Sequence, residues 1–163
     1  MSGTSVDGVD VALIETDGER VTAHGPALTV PYDDETRRTI RAAFGAERPD
    51  EITQAAERAV TDAHLQAVRR WSAETGQAIA SLDVVGFHGQ TVTHRPERRF
   101  TWQLGDGAAL ARALGVRVVN DLRSADVTAG GQGAPLVPIY HAALVQDRKS
   151  TRLNSSHVSE SRM

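Results

Sequence analysis

Hydrophobic and polar positions recur along the chain with two different periods. Residues 9–14 (VDVALI) alternate like a strand, Thr16-Asp17-Gly18 supplies turn residues, and 20–30 form a second extended run, so the two are expected to pair as a hairpin. Residues 33–44 read as a short helix ended by Gly45. The clearest helical pattern covers 50–75: Ile52, Ala56, Ala59, Val60, Ala63, Val68 and Trp71 return at three- and four-residue steps, Asp50 is placed to cap, and Gly76 stands just past the end. On that face His64 and Trp71 are expected to be core or flanking residues rather than ligands.

Beyond the helix the pattern alternates between element types. Residues 82–87 (LDVVGF) read as a buried strand, 100–104 as another, 108–114 as a short helix closed by Gly115, 116–119 as a third strand and 135–145 as a helix. Antiparallel strands followed by strand–helix–strand alternation predict an α/β domain with a mixed sheet. No internal repeat at a fixed period is present.

Composition narrows the chemistry. The 163 residues carry 18 Lys plus Arg against 21 Asp plus Glu, a net charge of −3, which argues against a nucleic-acid binder. No apolar run approaches the roughly 20 residues of a membrane-spanning helix, and no signal-peptide pattern is visible, so a cytoplasmic protein is expected. Cysteine is absent, which removes disulfides, thiolate metal sites and thiol nucleophiles together. Before residue 147 there are 14 Arg and no Lys, which excludes a P-loop lysine, a kinase strand lysine and a Schiff base in that stretch. Residues 147–163 hold 5 Ser with no Ala or Gly and no apolar periodicity. They are expected to be a foreign, disordered tail, and residues 1–146 a partial domain whose first strand precedes Met1.

Four loops concentrate glycine and small polar residues: 1–10 (MSGTSVDGVD), 86–91 (GFHGQT), 105–107 (GDG), and 120–123 (NDLR) running on to 130–136 (GGQGAPL). In α/β sheets, ligands sit where such loops converge. In the first loop, Gly3 and Gly8 allow close backbone approach, Thr4 and Ser5 offer hydroxyls, and successive N–H groups form an anion nest. Asp7 and Asp10 would repel a bare phosphate, so a magnesium ion between carboxylate and phosphate reconciles them; a glycine turn with surface carboxylates is the competing reading. No P-loop and no complete dinucleotide fingerprint occurs, and Gly-x-Ser-x-Gly is absent. His88, Gln90 and Thr91 suit hydrogen bonding to a polyol or sugar, although a structural histidine reads equally well there. Asp121 and Arg123 combine hydroxyl and anion recognition, with a plain salt bridge as the alternative. Pro135 suits a first helical turn behind a glycine nest.

Together MSGTSVDGVD, GFHGQTV, QLGDG, VVNDLRSADVTAGGQGAPLVP and YHAAL resemble the amino-terminal half of the anhydro-N-acetylmuramic acid kinases, over residues 1 to about 146. The resemblance implies one incomplete ribonuclease-H-like lobe of the actin-like, two-lobed sugar kinases, a mixed sheet with flanking helices and ATP held between lobes. It implies Mg2+, an anhydro-amino-sugar substrate, no nucleic-acid or membrane partner, and a parent able to form a homodimer. The activity it implies is hydrolysis of the internal 1,6-anhydro bond with phosphorylation of O6, in peptidoglycan recycling. Carried over by motif, Gly3, Thr4, Ser5, Val6, Asp7, Gly8, Val9 and Asp10 match the ATP phosphate loop, and His88, Gln90, Thr91, Asp121 and Arg123 fall near the sugar side. Metal ligands are not defined by the resemblance. The family's general base lies in an Asp-Thr-Gly-Pro-Gly-Asn segment that this sequence does not contain, so no catalytic residue is assigned and the chain alone is expected to be inactive. Two other readings compete: a non-catalytic binding module of the same fold, and a nuclease using Asp7, Asp10 and Asp121 around two metals.

Overall fold

A computed structural model describes residues 3–136. They form a mixed α/β arrangement in the order β1 (Gly8–Thr16), β2 (Val21–Pro31), α1 (Asp34–Ala42), α2 (Glu51–Thr75), β3 (Val85–Gly86), β4 (Gln90–Arg95), β5 (Phe100–Leu104), α3 (Gly107–Leu114), β6 (Val118–Val119) and α4 (Ser124–Ala129). The chain divides into two compact units. Among the described residues, one comprises 3–12 and 27–133, and the other 13–26 together with 134–136.

Within the smaller unit the hairpin tip is organised by Asp17, whose Oδ1 accepts from the amides of Glu19 and Arg20 at 2.9 and 2.7 Å. Those two amides hold its carboxyl below the ordinary range, and Gly18 takes the positive φ of 97° that the turn requires.

The larger unit is built on α2. Thr53 N–H donates to Asp50 Oδ1 at 2.7 Å while Asp50 N–H donates to Thr53 Oγ1 at 2.8 Å, a reciprocal capping box. At the other end Gly76 closes the helix at φ 73°. Thr53, Ala56, Val60, His64, Ala67, Val68 and Trp71 form the buried stripe. Ile52, expected on that face, is 51% exposed, because the stripe begins one residue later. His64 and Trp71 are both core residues, as expected. Val60 and Ala67 join Val6, Val9, Tyr32, Ile40, Phe87 and Leu110 in one cluster, and Ala56 joins Ala43, Val92 and Leu104 in a second.

Three expectations are corrected. Instead of one continuous mixed sheet, the described residues form three two-stranded ladders: β1 with β2, β3 parallel to β6, and β4 antiparallel to β5. The buried strand expected over 82–87 shrinks to Val85–Gly86, and that over 116–119 to Val118–Val119. Val84 and Val119 are 50% and 52% exposed. An apolar run of this kind reads as a parallel strand covered on both faces, but β3 has β6 as its one ladder partner among the described residues, and Phe87 alone of 82–87 is buried. Residues 90–95, of which 90 and 91 fall in an expected loop and the rest in no expected element, are a strand: a register shift between Thr91 and Thr93 places Val92 and Thr93 both inside and breaks the alternation that marks strands. The short α4 also had no periodic signal. The helix expected over 135–145 lies, beyond Leu136, outside the described residues. No described helix is long and apolar enough to cross a membrane.

Candidate functional site

The loop before β1 is a tight turn, closed by Val6 N–H to the Gly3 carbonyl at 3.1 Å. Val6 adopts φ 57°, a costly conformation for a β-branched residue. Complete burial of its side chain in the main cluster offsets that cost. Helix α1 holds the turn from one side: Arg37 Nε donates to the Val6 carbonyl at 3.2 Å, and Arg41 to the Ser5 carbonyl at 3.3 Å. With those carbonyls engaged, the remaining chemistry of the turn lies in its main-chain N–H groups and the exposed Thr4 and Ser5 hydroxyls.

The two carboxylates differ. Asp10, inside β1, accepts from the Thr29 hydroxyl at 2.7 Å, whereas the exposed Asp7 carboxylate takes no hydrogen bond among the described residues, and its backbone carbonyl receives the Tyr32 amide at 3.0 Å. The glycines differ too. Among the described residues a Cβ on Gly3 would meet only Ser5 Oγ at 3.5 Å, whereas one on Gly8 would press into the backbone of Val30 and Pro31. Gly8 is therefore explained by hairpin packing, not by ligand approach. Val9 is a core residue.

Gln90 joins this turn to β4. Fully buried, it donates through Nε2 to the carbonyls of Gly3 and Thr91, each at 3.3 Å, so it acts as a strut. Thr91 follows it on β4, half-buried. His88 is similarly engaged. Its Nδ1 lies 2.9 Å from the Gly89 carbonyl, and its Nε2 faces Arg123 Nε at 3.0 Å and Nη2 at 2.8 Å. A carbonyl accepts only, so Nδ1 carries the proton and Nε2 accepts from the guanidinium. Burial pushes His88 below its ordinary pKa, the Gly89 bond opposes this, and the neighbouring Arg123 charge lowers it further. Both ring nitrogens are thus used within the protein, and His88 positions Arg123.

Arg123 also donates through Nη1 to the Gly133 carbonyl, while Gly133 N–H donates to Asp126 Oδ2 at 2.6 Å. The 130–133 segment is thereby folded back on α4 and tied to the 88–89 turn. Asp121, exposed and at φ 53°, accepts from Ser124 N–H at 3.3 Å. The 105–107 loop is fixed from α2, where Thr61 Oγ1 accepts from Asp106 N–H at 3.0 Å and Glu57 from Gly105 N–H at 3.4 Å. A Cβ on Gly107 would strike the Asn120 side chain, so these two loops touch.

The structure therefore gathers the 3–6 turn, 88–91, 105–107 and 120–133 along one rim of the larger unit. Asp7, Asp10 and Asp121 are not gathered: among the described residues no three His, Asp or Glu lie together as a metal cluster would require. The rim also contains residues that motif reading passed over. Arg37 and Arg41 stand four apart on α1, and the lack of lysine in this stretch was the signal that arginine would do its electrostatic work. Gln103 and Asn120, beside the cavity at Phe87 to Gly89, were visible only as neighbours of glycine motifs.

The model of the family described as "Anhydro-N-acetylmuramic acid kinase" matches residues 1–156. The chain is 58% identical over 144 residues to the anhydro-N-acetylmuramic acid kinase of Paramagnetospirillum magneticum, an alignment covering 88% of this chain and 40% of that protein. It is 55% identical over 150 residues to the enzyme of that name from Rhizorhabdus wittichii, covering 88% and 41%. A third such kinase, from Rhodospirillum rubrum, is 55% identical over 148 residues, covering 90% and 39%. The chain thus spans about 40% of the length of the curated relatives it matches. On the match over residues 1–156, the chain belongs to the anhydro-N-acetylmuramic acid kinase family.

Proposed function

We propose that the chain supplies the phosphate-holding and sugar-facing rim of an ATP-dependent kinase that opens the 1,6-anhydro bond of anhydro-N-acetylmuramic acid and phosphorylates O6. The rim is read as the edge of one ribonuclease-H-like, actin-like lobe in a cytoplasmic enzyme. The observation that carries this reading is the convergence of the glycine turns, with Gln90 tying Gly3 to β4 and Arg123 tying 88–89 to 130–133.

Phosphoryl transfer depends mainly on positioning and on electrostatic stabilisation. In this chain the 3–6 turn offers main-chain donors and two hydroxyls to a triphosphate, held rigid by Arg37 and Arg41 from behind. Asp7 is the loop carboxylate suited to a divalent ion, since Asp10 is hydrogen-bonded to Thr29. Mg2+ bound there would neutralise charge on the phosphate oxygens. Thr91, Asp121 and Arg123 face the sugar, and His88 and Gln90 hold them and the turn in register. Water attack at the anomeric carbon needs a carboxylate base, and the Asp-Thr-Gly-Pro-Gly-Asn segment that resembles it is absent from this sequence.

Calorimetry with Mg-ADP tests the reading: the chain binds, and Asp7→Ala loses the binding. A coupled ADP-release assay with anhydro-sugar and Mg-ATP should stay at background. No Mg-ADP binding, or undiminished binding by Asp7→Ala, would contradict the phosphate-loop assignment; turnover by the chain alone would contradict the missing base.

A further inference from the structure

Gln103 on β5 has a buried side-chain oxygen with no hydrogen-bond partner among the described residues. The amide is oriented from its other end. Its Nε2 donates to the Thr101 hydroxyl at 2.7 Å, and that hydroxyl donates in turn to the Thr93 carbonyl at 3.5 Å, with His94 Nδ1 3.0 Å away. Thr101 thus receives the amide proton, leaving Oε1 as an acceptor facing no donor. Buried acceptors are nearly always matched, and an unmatched one is destabilising.

Gln103 lines a cavity of about 30 Å³, walled also by His88, Gly89, Gly105, Asn120 and Asp121. A space of that size admits one water-sized group. His88 has no ring nitrogen left to donate into it, a carboxylate such as that of Asp121 only accepts, and the Asn120 amide on the same wall makes no hydrogen bond to Gln103 Oε1. Oε1 and the space beside it suit a single small donor.

We infer that this cavity is a hydroxyl subsite in which Gln103 Oε1, buried and unmatched beside Asn120 and Asp121, accepts the proton of the sugar's one free hydroxyl and so determines specificity. The inference rests on the proposed function. In 1,6-anhydro-N-acetylmuramic acid, O1 and O6 form the internal bridge, O3 is in the lactyl ether and C2 carries the acetamido group, so O4 bears the only alcohol. The acetamido N–H is the other neutral donor, but its acyl group is too large for a one-water cavity. O4 therefore occupies the subsite. A sugar with a substituent on O4 lacks both the proton and the room, so the site selects the unsubstituted monosaccharide.

Ligand-observed NMR titrations of the full chain with the anhydro-sugar, its 4-deoxy analogue and its 4-O-methyl ether test this, for wild type and Gln103→Met. The wild type should favour the parent sugar by about tenfold over both analogues, the worth of one hydrogen bond in a site built for it. Gln103→Met should bind the parent and the 4-deoxy sugar alike. The wild-type comparison needs no variant to fold. Equal wild-type affinity for parent and 4-deoxy sugar, as a permanently seated water would give, overturns the inference while leaving the proposed function standing, and so does discrimination that persists in Gln103→Met. If the wild type binds none of the three, the proposed function fails and the subsite with it.

Discussion

Replacing His64 by leucine should flatten the acid limb of the chain's stability curve. His64 sits on the buried stripe of α2, 4% exposed, with Nδ1 2.7 Å from the Val60 carbonyl and its ring edge-on to Phe87 at a centroid distance of 4.8 Å. Nδ1 donates, so the Nε2 lone pair points into the core, where Nε2 has no partner among the described residues. Protonating it would place a charge in that core with nothing to balance it. Burial accordingly pushes the group from 6.5 to about 4, with the Val60 bond opposing the shift.

The sign follows from linkage. The unfolded imidazole takes up a proton near 6.5 and the folded one only near 4, so stability from the neutral ring is complete above 6.5 and is lost as pH falls through that window. At about 1.4 kcal/mol per pH unit the full loss is roughly 3 kcal/mol, and about 2 kcal/mol of it has occurred by pH 5. In His64→Leu the Val60 carbonyl keeps its helical amide partner, no buried polar atom is orphaned, and side-chain volume is nearly conserved. Urea denaturation of both proteins at pH 7, 6 and 5 isolates the effect, because Asp17, Asp33, Asp50 and His88 titrate in both. The variant should gain about 2 kcal/mol on the wild type between pH 7 and pH 5. Parallel curves would show that His64 is not held neutral by its burial.

Gly8→Ala should cost roughly 1–3 kcal/mol, since its Cβ meets the Val30 and Pro31 backbone; a melting temperature equal to wild type would contradict this. Arg123→Ala removes the donors to His88 Nε2 and the Gly133 carbonyl. Amide exchange at Gly131 and Gly133 should accelerate, and His88 should titrate at higher pH once its cationic neighbour is gone; an unchanged His88 titration by NMR would count against the clamp.

The elements legible in the sequence are those whose signals are local. Helix α2 carries its own cap, its own left-handed glycine and a stripe repeated over 25 residues, and α3 carries the same signals in short form, from Asp106 to Gly115. Strand β4 was hidden because its bulge erases the alternation that identifies strands, and β3 and β6 because an apolar run does not state how much of itself is paired. The site was legible as loops and illegible as contacts. Gln90 reaches Gly3 across 87 positions and Arg123 reaches His88 across 35, separations that no window of sequence contains. Gly8 shows the same limit in reverse: its motif position pointed to a ligand, and the backbone beside it supplies a packing reason.

In the proposed function the rim of glycine turns, and not a lysine, holds the nucleotide phosphates. The most direct measurement is an amide chemical-shift map of the isotope-labelled chain as Mg-ADP is added. The largest shifts should fall together on Gly3, Ser5, Gly89 and Gly131, with residues on the exposed face of α2 unmoved. Shifts scattered away from these turns, or none at saturating nucleotide, would contradict it.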